Sequence, residues 1–214
     1  MKKYVFPFIL LLLLVTLFLL LPGKIPSLFA KDTGVKVVIL GDSISAGLGV
    51  EPEQAFPFLV QDMLKQKGFA FVNITNGSIS GSTTAGATSR LKWYLKTKPD
   101  ILVLALGAND GLRGLSTDLM TQNLEKSIIL AKKNGIKVIL AGMKIPPNYG
   151  AEYAKAFESS FVSLAQKHDL PFIPFLLKDV AGKSFLNQAD GIHPNPEGHK
   201  IIASTVFDII LEQL

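Results

Sequence analysis

Cysteine is absent from the 214-residue chain, which removes disulfides, thiolate metal sites and cysteine nucleophiles together. Histidine is scarce, with three copies, so proton transfer near neutral pH has few side chains to draw on. Charge is sparse as well: charged residues make up 18% of the chain, with a net charge of +5. Lys2, Lys3 and Lys24 carry much of that excess, and without residues 1–30 the count is 19 basic against 17 acidic. No basic stripe with interleaved aromatics occurs, so nucleic acid is not an expected partner. The glycine-rich stretch GDSISAGLG lacks both the G-x-G-x-x-G spacing and the Gly-Lys-Ser/Thr ending of phosphate loops, which argues against an oxidoreductase or a kinase. After residue 34 there is no internal repeat, low-complexity tract or linker.

The start of the chain has its own character. Met1-Lys2-Lys3 is a positive n-region, and Val5 to Leu21 is almost wholly apolar, broken only by Pro7 and Thr16. As a helix, those roughly 17 residues span about 26 Å, short of a hydrocarbon core of about 30 Å. Pro22, Gly23 and Pro26 then break the helix, and Leu28-Phe29-Ala30 offers a cleavage site with a small residue only at its last position. Residues 1–30 therefore read as a signal peptide or an N-terminal membrane anchor, and residues 31–214 as one folded domain. The lysines hold the start in the cytoplasm, so the domain is expected outside it, periplasmic or secreted, or anchored to the membrane.

From Lys36 onward strand and helix signals alternate. Val35, Val37, Val38, Ile39 and Leu40 form a β-branched, apolar run that reads as a buried strand closed by Gly41. Residues 53–67 read as a helix that includes Pro57, Phe69 to Ile74 as a second strand, and 83–97 as a second helix. Ile101 to Leu106 is a third strand. Met120, Leu124, Ile128 and Ala131 fall at helical spacing, with Asn134-Gly135 as the stop. Ile136 to Ala141 gives a fourth strand, Tyr153, Phe157, Phe161 and Leu164 a fourth helix, and Phe172 to Phe175 a short fifth strand. Asn195-Pro196 opens the last helix, with an N-cap and a proline at the first helical position, and Ile202, Val206 and Ile209 continue it. This β-α-β alternation predicts a three-layer α/β/α fold with a central parallel five-stranded sheet, in the flavodoxin-like order 2-1-3-4-5.

In such a sheet all strand tips point one way, and the polar, glycine-rich segments follow successive strands. Strand one leads to Gly41-Asp42-Ser43, strand two to Asn76 through Gly81, and strand three to Gly107-Ala108-Asn109-Asp110-Gly111. Ser43 would lie between Gly81 and Asn109. Taken singly, each segment is ordinary turn composition. A serine nucleophile needs a base, and the three histidines differ. His168 ends an amphipathic helix and reads as solvated, and His199 sits inside the last helix in a structural or exposed role. Pro194 disfavours helix at His193, which leaves that imidazole on a loop three positions after Asp190. Ser43 as nucleophile, His193 as proton carrier and Asp190 as its orienting carboxylate satisfy triad logic, with Ser43 N–H, Gly81 and Asn109 as candidate oxyanion donors.

Gly-Asp-Ser at 41–43, Gly81, Gly-x-Asn-Asp at 107–110 and Asp-x-x-His at 190–193 resemble, in order, the four blocks of the SGNH (GDSL-type) hydrolases. The resemblance covers the chain after the leader and is strongest to the bacterial multifunctional thioesterase/lysophospholipase/arylesterase branch, through GDSISAG, NGSISGSTTAG, LGANDGLRGL, IPPNYG and DGIHPN. It implies Ser43, Asp190 and His193 as the triad, Ser43, Gly81 and Asn109 as the oxyanion hole, and no cofactor or metal. Two residues depart from the pattern: Ile44 replaces the leucine of the name motif, and Ser82 stands where that branch often has aspartate.

The expected activity is a serine ester hydrolase acting through an acyl-enzyme on acyl esters or thioesters. A carbohydrate O-acetyl esterase is the alternative within enzymes, and a catalytically silent, membrane-tethered binding module the alternative outside them. Gly111 to Leu115 and Met143 to Gly150 are expected to border the acyl pocket, with Met143, Ile145, Pro146, Pro147 and Tyr149 favouring an apolar chain. Expected partners are a small-molecule acyl ester or lipid-derived substrate, and a membrane through residues 1–30 where they are retained. No obligate protein partner is evident.

Overall fold

The computed structural model describes residues 34–214, and the signal-peptide or anchor reading of residues 1–30 falls outside them. β1 (Val35–Gly41) is followed by a single helical turn, α1 (Ser43–Ala46), then α2 (Phe56–Gln66), β2 (Val72–Asn76), α3 (Ala87–Tyr94) and β3 (Ile101–Ala105). Next come α4 (Ala108–Leu112), α5 (Thr117–Lys133), β4 (Lys137–Ala141), α6 (Ala151–His168), β5 (Phe172–Ile173) and α7 (Pro196–Leu211). The strands form one parallel sheet in the order β2-β1-β3-β4-β5. Helices α2 and α7 pack together over one face, and α3, α5 and α6 pack in sequence over the other. Among the described residues no helix is long and apolar enough to cross a membrane.

The two central strands explain the layering. Val37 to Leu40 and all of β3 are buried, so both faces of the sheet centre require cover. α5 supplies Met120, Leu124, Ile128 and Ala131 at a spacing of three or four, and α6 supplies Phe157, Phe161 and Leu164. Phe157 and Phe161 meet edge to face with centroids 5.3 Å apart. In register, Ile39 lies opposite both Asn76 and Val103, and Gly41 opposite Ala105, so β1, β2 and β3 end side by side.

Several boundaries differ from the sequence reading for local reasons. The expected helix over 53–67 starts at Phe56. Pro52–Gln54 instead makes a 3-10 turn closed by reciprocal side-chain and backbone bonds of Glu51 and Gln54, and Pro57 falls in the first turn of α2, where its missing N–H costs little. The second strand is Val72–Asn76 rather than Phe69 to Ile74, because Phe69 and Phe71 pack on each other in the preceding turn, with centroids 5.9 Å apart. The helix expected over 83–97 is α-helical only from Ala87 to Tyr94, with a 3-10 turn at each end. The fifth strand is shortened to Phe172–Ile173.

Gly111, inside α4, marks the tightest fit between the β3 exit and α6. A Cβ there would lie 2.5 Å from Ile145 Cγ2 and 2.6 Å from Phe157 Cε2. Gly111→Ala is expected to destabilise the protein by about 1–3 kcal/mol through overpacking, read as a lower urea midpoint at unchanged m-value. An unchanged midpoint would contradict this packing.

Candidate active site

β1 delivers the candidate nucleophile. After Gly41, Asp42 caps α1 by accepting from the Ile44 N–H at 3.1 Å, which sets Ser43 at the first helical position, 9% exposed. Ser43 Oγ lies 2.9 Å from His193 Nε2, a residue 150 positions away, and His193 Nδ1 lies 2.6 Å from Asp190 Oδ2. A proton on Nδ1 donates to that carboxylate and leaves Nε2 to accept from the Ser43 hydroxyl.

The loop that presents the imidazole is stitched at both ends. Asn187 and Pro194 form an antiparallel bridge, and the Gln188 N–H donates to the His193 carbonyl at 2.8 Å. Asp190 Oδ1 accepts from the N–H groups of Ile192 and His193 at 2.8 and 2.9 Å, closing an Asx turn through Gly191. The Gln188 side chain donates to the Leu48 carbonyl at 2.7 Å and so fastens the histidine loop to the chain just beyond Ser43. Gly49 makes room for it: a Cβ there would lie 2.1 Å from Gln188 Oε1.

On the other side, the loops after β2 and β3 are tied to each other. Gly81 has φ +76 and its carbonyl accepts from Arg113 Nη2 at 2.9 Å. Asn109 Nδ2 donates to the Ser82 carbonyl at 3.1 Å. Asp110, 4% exposed, accepts from the Thr84 N–H at 2.9 Å and from the Thr84 hydroxyl at 2.6 Å. The side chains of Arg113, Asn109 and Asp110 thus carry the hydrogen bonding around Gly81, with Ser82 entering through its backbone N–H and carbonyl. Asp42 and Asp110 entered the sequence reading only as members of their motifs, without an anchoring role, and Arg113 had none either. The one local clue was an acidic residue in the first turn of α4.

The remaining histidines separate in kind. His168, expected to be solvated, is 14% exposed at its side chain and lies 2.6 Å from Glu125 Oε1. Lys167, and then His168, hold the Glu125 carboxyl below its usual range. His199 is 1% exposed and its Nδ1 accepts from the Phe56 N–H at 3.3 Å, a structural link between α7 and α2.

Burial sets the electrostatics. It raises the Asp42 carboxyl to about 6, against the Ile44 N–H, His193 and Arg90, which pull it down. Asp190 is held at about 2 by the His193 N–H first, then the His193 ring and the Ile192 N–H, so it stays a carboxylate across the neutral range. Burial, with His193 second, lowers His199 to about 4, which keeps it a neutral acceptor.

Beside the site lies a cavity of about 400 Å³, within the size range of small-molecule pockets. Ile44 and Ile192, the neighbours of Ser43 and His193, border it together with Leu112, Met143, Ile145 and Phe175. Leu112 and Met143 to Pro146 come from the two segments expected there, while Phe175, Leu177, Ala181 and Gly182 come from the chain after β5, which the sequence reading did not include. Tyr149 does not line the cavity. Its hydroxyl donates to the Leu112 carbonyl at 2.9 Å and ties the two bordering loops together. A larger hollow of about 520 Å³ runs beside α6 and contains none of the candidate catalytic residues.

Comparison with known proteins bears on the family of the chain. The model of the GDSL-like lipase/acylhydrolase family matches residues 39–201. The chain is 38% identical over 186 residues to an arylesterase of Vibrio mimicus, covering 86% of this chain and 92% of the relative. It is 36% identical over 175 residues to thioesterase 1/protease 1/lysophospholipase L1 of Escherichia coli K12, covering 81% of each. The crystal structure of the psychrotrophic esterase EstA from Pseudoalteromonas sp., inhibited by monoethylphosphonate, superimposes with a TM-score of 0.79 at 35% identity, over 83% of this chain and 97% of that one.

Asp42 and His199 make opposing contributions to stability in acid. A carboxyl near 6 in the native state, against an ordinary 3.8, takes up its proton first in the folded protein and favours folding as pH falls from about 6 to about 4. A histidine near 4, against 6.5, takes it up first in the unfolded chain and disfavours folding over the same window. Each is worth about 3 kcal/mol at about 1.4 kcal/mol per pKa unit. Asp42→Asn keeps an acceptor for the Ile44 N–H and removes one side of this balance. Denaturant unfolding of the variant should therefore show a loss between pH 7 and pH 4 that is about 2–3 kcal/mol larger than for the wild type; parallel profiles would refute the buried carboxyl.

Proposed function

The chain belongs to the GDSL-like lipase/acylhydrolase family and is a carboxylic ester hydrolase; from that premise we propose that Ser43, His193 and Asp190 act as its triad. Ser43 Oγ attacks the acyl carbonyl carbon while its proton passes to His193 Nε2. Asp190 accepts from Nδ1 and stabilises the imidazolium. The oxyanion is held by the Ser43 and Gly81 N–H groups and by Asn109 Nδ2. Collapse expels the alcohol or thiol, which takes the proton from Nε2, and leaves Ser43 acylated. Water then attacks the acyl-enzyme with His193 as base, releasing the carboxylic acid and restoring the serine.

The observation that carries this reading is the continuous relay, 2.9 Å from Ser43 Oγ to Nε2 and 2.6 Å from Nδ1 to Asp190. The apolar cavity flanking Ser43 supports an acyl ester or thioester with a hydrocarbon chain, lipid-derived in the first instance, over an acetylated sugar, whose two-carbon acyl group would leave most of the roughly 400 Å³ unfilled. The domain, residues 31–214, works outside the cytoplasm, as the lysine-led apolar leader supports, with membrane contact through residues 1–30 where they are retained. Neither nucleic acid nor an obligate protein partner enters the reaction.

Ser43→Ala and His193→Ala should each lower kcat on a p-nitrophenyl ester by on the order of 10⁵–10⁶-fold, and the double variant by little more. Additive losses would contradict a shared mechanism. Ala181→Phe should fill the cavity and lower kcat/KM for octanoyl and longer esters by about tenfold or more, with the acetyl ester little changed. Equal losses across chain lengths would remove the cavity from the acyl path.

A further inference from the structure

Arg90, on α3, reaches the nucleophile turn. Its Nη1 donates to the Gly41 carbonyl at 3.1 Å and to the Gly77 carbonyl at 3.3 Å. Gly41 is the last residue of β1, two positions before Ser43, and Gly77 opens the loop that leads to Gly81. One guanidinium group therefore bridges the exits of two adjacent strands. Neither exit has slack: a Cβ on Gly41 would lie 2.3 Å from Ser45 Oγ, and one on Gly77 2.6 Å from the Tyr94 ring. The two segments also meet through the Ile79 N–H on the Gly41 carbonyl at 3.2 Å, the Gly77 N–H on the Ile39 carbonyl at 2.8 Å and the Asn76 side-chain amide on the Ser45 carbonyl at 2.8 Å, and the clamp adds to these ties a cationic donor shared by both exits.

The rest of the guanidinium is committed to this place at a cost. Nε and Nη2 are buried with no hydrogen-bond partner among the described residues, as is Ser45 Oγ. Unpaired buried donors are uncommon and call for a reason. Tyr94, and after it the carboxyl of Asp42, which is 2% exposed and caps α1, favour the charge on Arg90. A cation held beneath this turn compensates a buried anion on it.

We infer that Arg90 is a positioning residue, which clamps the Gly41 and Gly77 carbonyls and so fixes the Ser43 turn against the loop that carries Gly81. The inference rests on the reading of Ser43 as nucleophile. It gives Arg90 no contact with substrate. Its effect runs through the distance between Ser43 Oγ and the Gly81 N–H, where a displacement of about 1 Å costs about 10²-fold in rate.

The test uses Arg90→Ala and Arg90→Lys, with Lys92→Ala, an exposed neighbour on α3, as control. Turnover of a p-nitrophenyl ester is referred to the concentration of sites titrated by a fluorophosphonate. Arg90→Ala should lose about 10²-fold in kcat per titrated site, with KM within threefold of the wild type. Its labelling rate at Ser43 should fall in parallel, because attack on phosphorus does not need the acyl cavity. Millimolar guanidinium should restore part of kcat in Arg90→Ala and leave the wild type and Lys92→Ala unchanged. Arg90→Lys, with a single ammonium for two carbonyls, should fall between wild type and alanine, and it carries the comparison where the alanine variant does not fold. A purely structural role would lower the titrated fraction or the melting temperature at constant kcat per site, and that result, or the absence of rescue, would overturn the inference. Labelling of wild type at a residue other than Ser43 would instead overturn the nucleophile assignment itself.

Discussion

β1 is hydrogen-bonded along both edges and covered on both faces, so the position of its carboxyl end is fixed from every side. A parallel strand pinned in this way cannot slip by one residue without turning Val38 and Leu40 to the opposite layer. Its last residue, Gly41, stands opposite Ala105 of β3, and the β2 exit follows one strand over. The Ser43 turn thus inherits its place from a buried sheet, while the groups that surround it arrive on loops. That division puts the stiffness where the chain must not move and the hydrogen-bonded adaptability where a substrate has to enter.

The loops are then fixed by polar contacts of long sequence separation. Gln188 ties the histidine loop to Leu48, Asp110 ties α4 to Thr84, Arg113 ties α4 to Gly81, and Arg90 ties α3 to Gly41 and Gly77. Most of these bonds end on a backbone carbonyl or N–H, which makes them tolerant of the side chains around them and exacting about backbone position. The buried groups at the site carry opposite acid–base tendencies. Asp42 is pushed toward the neutral acid and His199 toward the neutral base, both by desolvation. At neutral pH His199 therefore adds no charge, Asp42 still ionises above about 6, and the exposed Asp190 keeps its charge at the edge of the site.

What could be read from the chain follows this physical division. β1, β3 and β4 are legible because strands buried on both faces must be continuous apolar runs, and α5, α6 and α7 because each keeps an apolar stripe and a stop or cap. β2 was misplaced because an edge strand with Asn73, Thr75 and Asn76 has no such run, while Phe69 and Phe71, which look like strand, pack in the turn before it. The short α1 and α4 escaped because four or five residues do not establish a period. At the site, Ser43, Gly81 and Asn109 are legible together as polar turns after three successive strands, and Asp190 and His193 as a loop pair set off by Pro194 ahead of the last helix. Arg90 and Arg113 have partners 49 and 32 positions away and leave no local signal, and Asp110 shows in the chain as a first-turn acid without its partner 26 positions away.

The assembly has one direct test, a structure of the adduct formed with a phosphonate ester. Bonding of phosphorus to Ser43 Oγ, with a phosphoryl oxygen about 2.7–3.1 Å from the Gly81 nitrogen and from Asn109 Nδ2, is the arrangement that the gathering of these loops around β1 requires. Phosphorus on another residue, or its oxygen turned away from both donors with His193 displaced from Ser43, would contradict it.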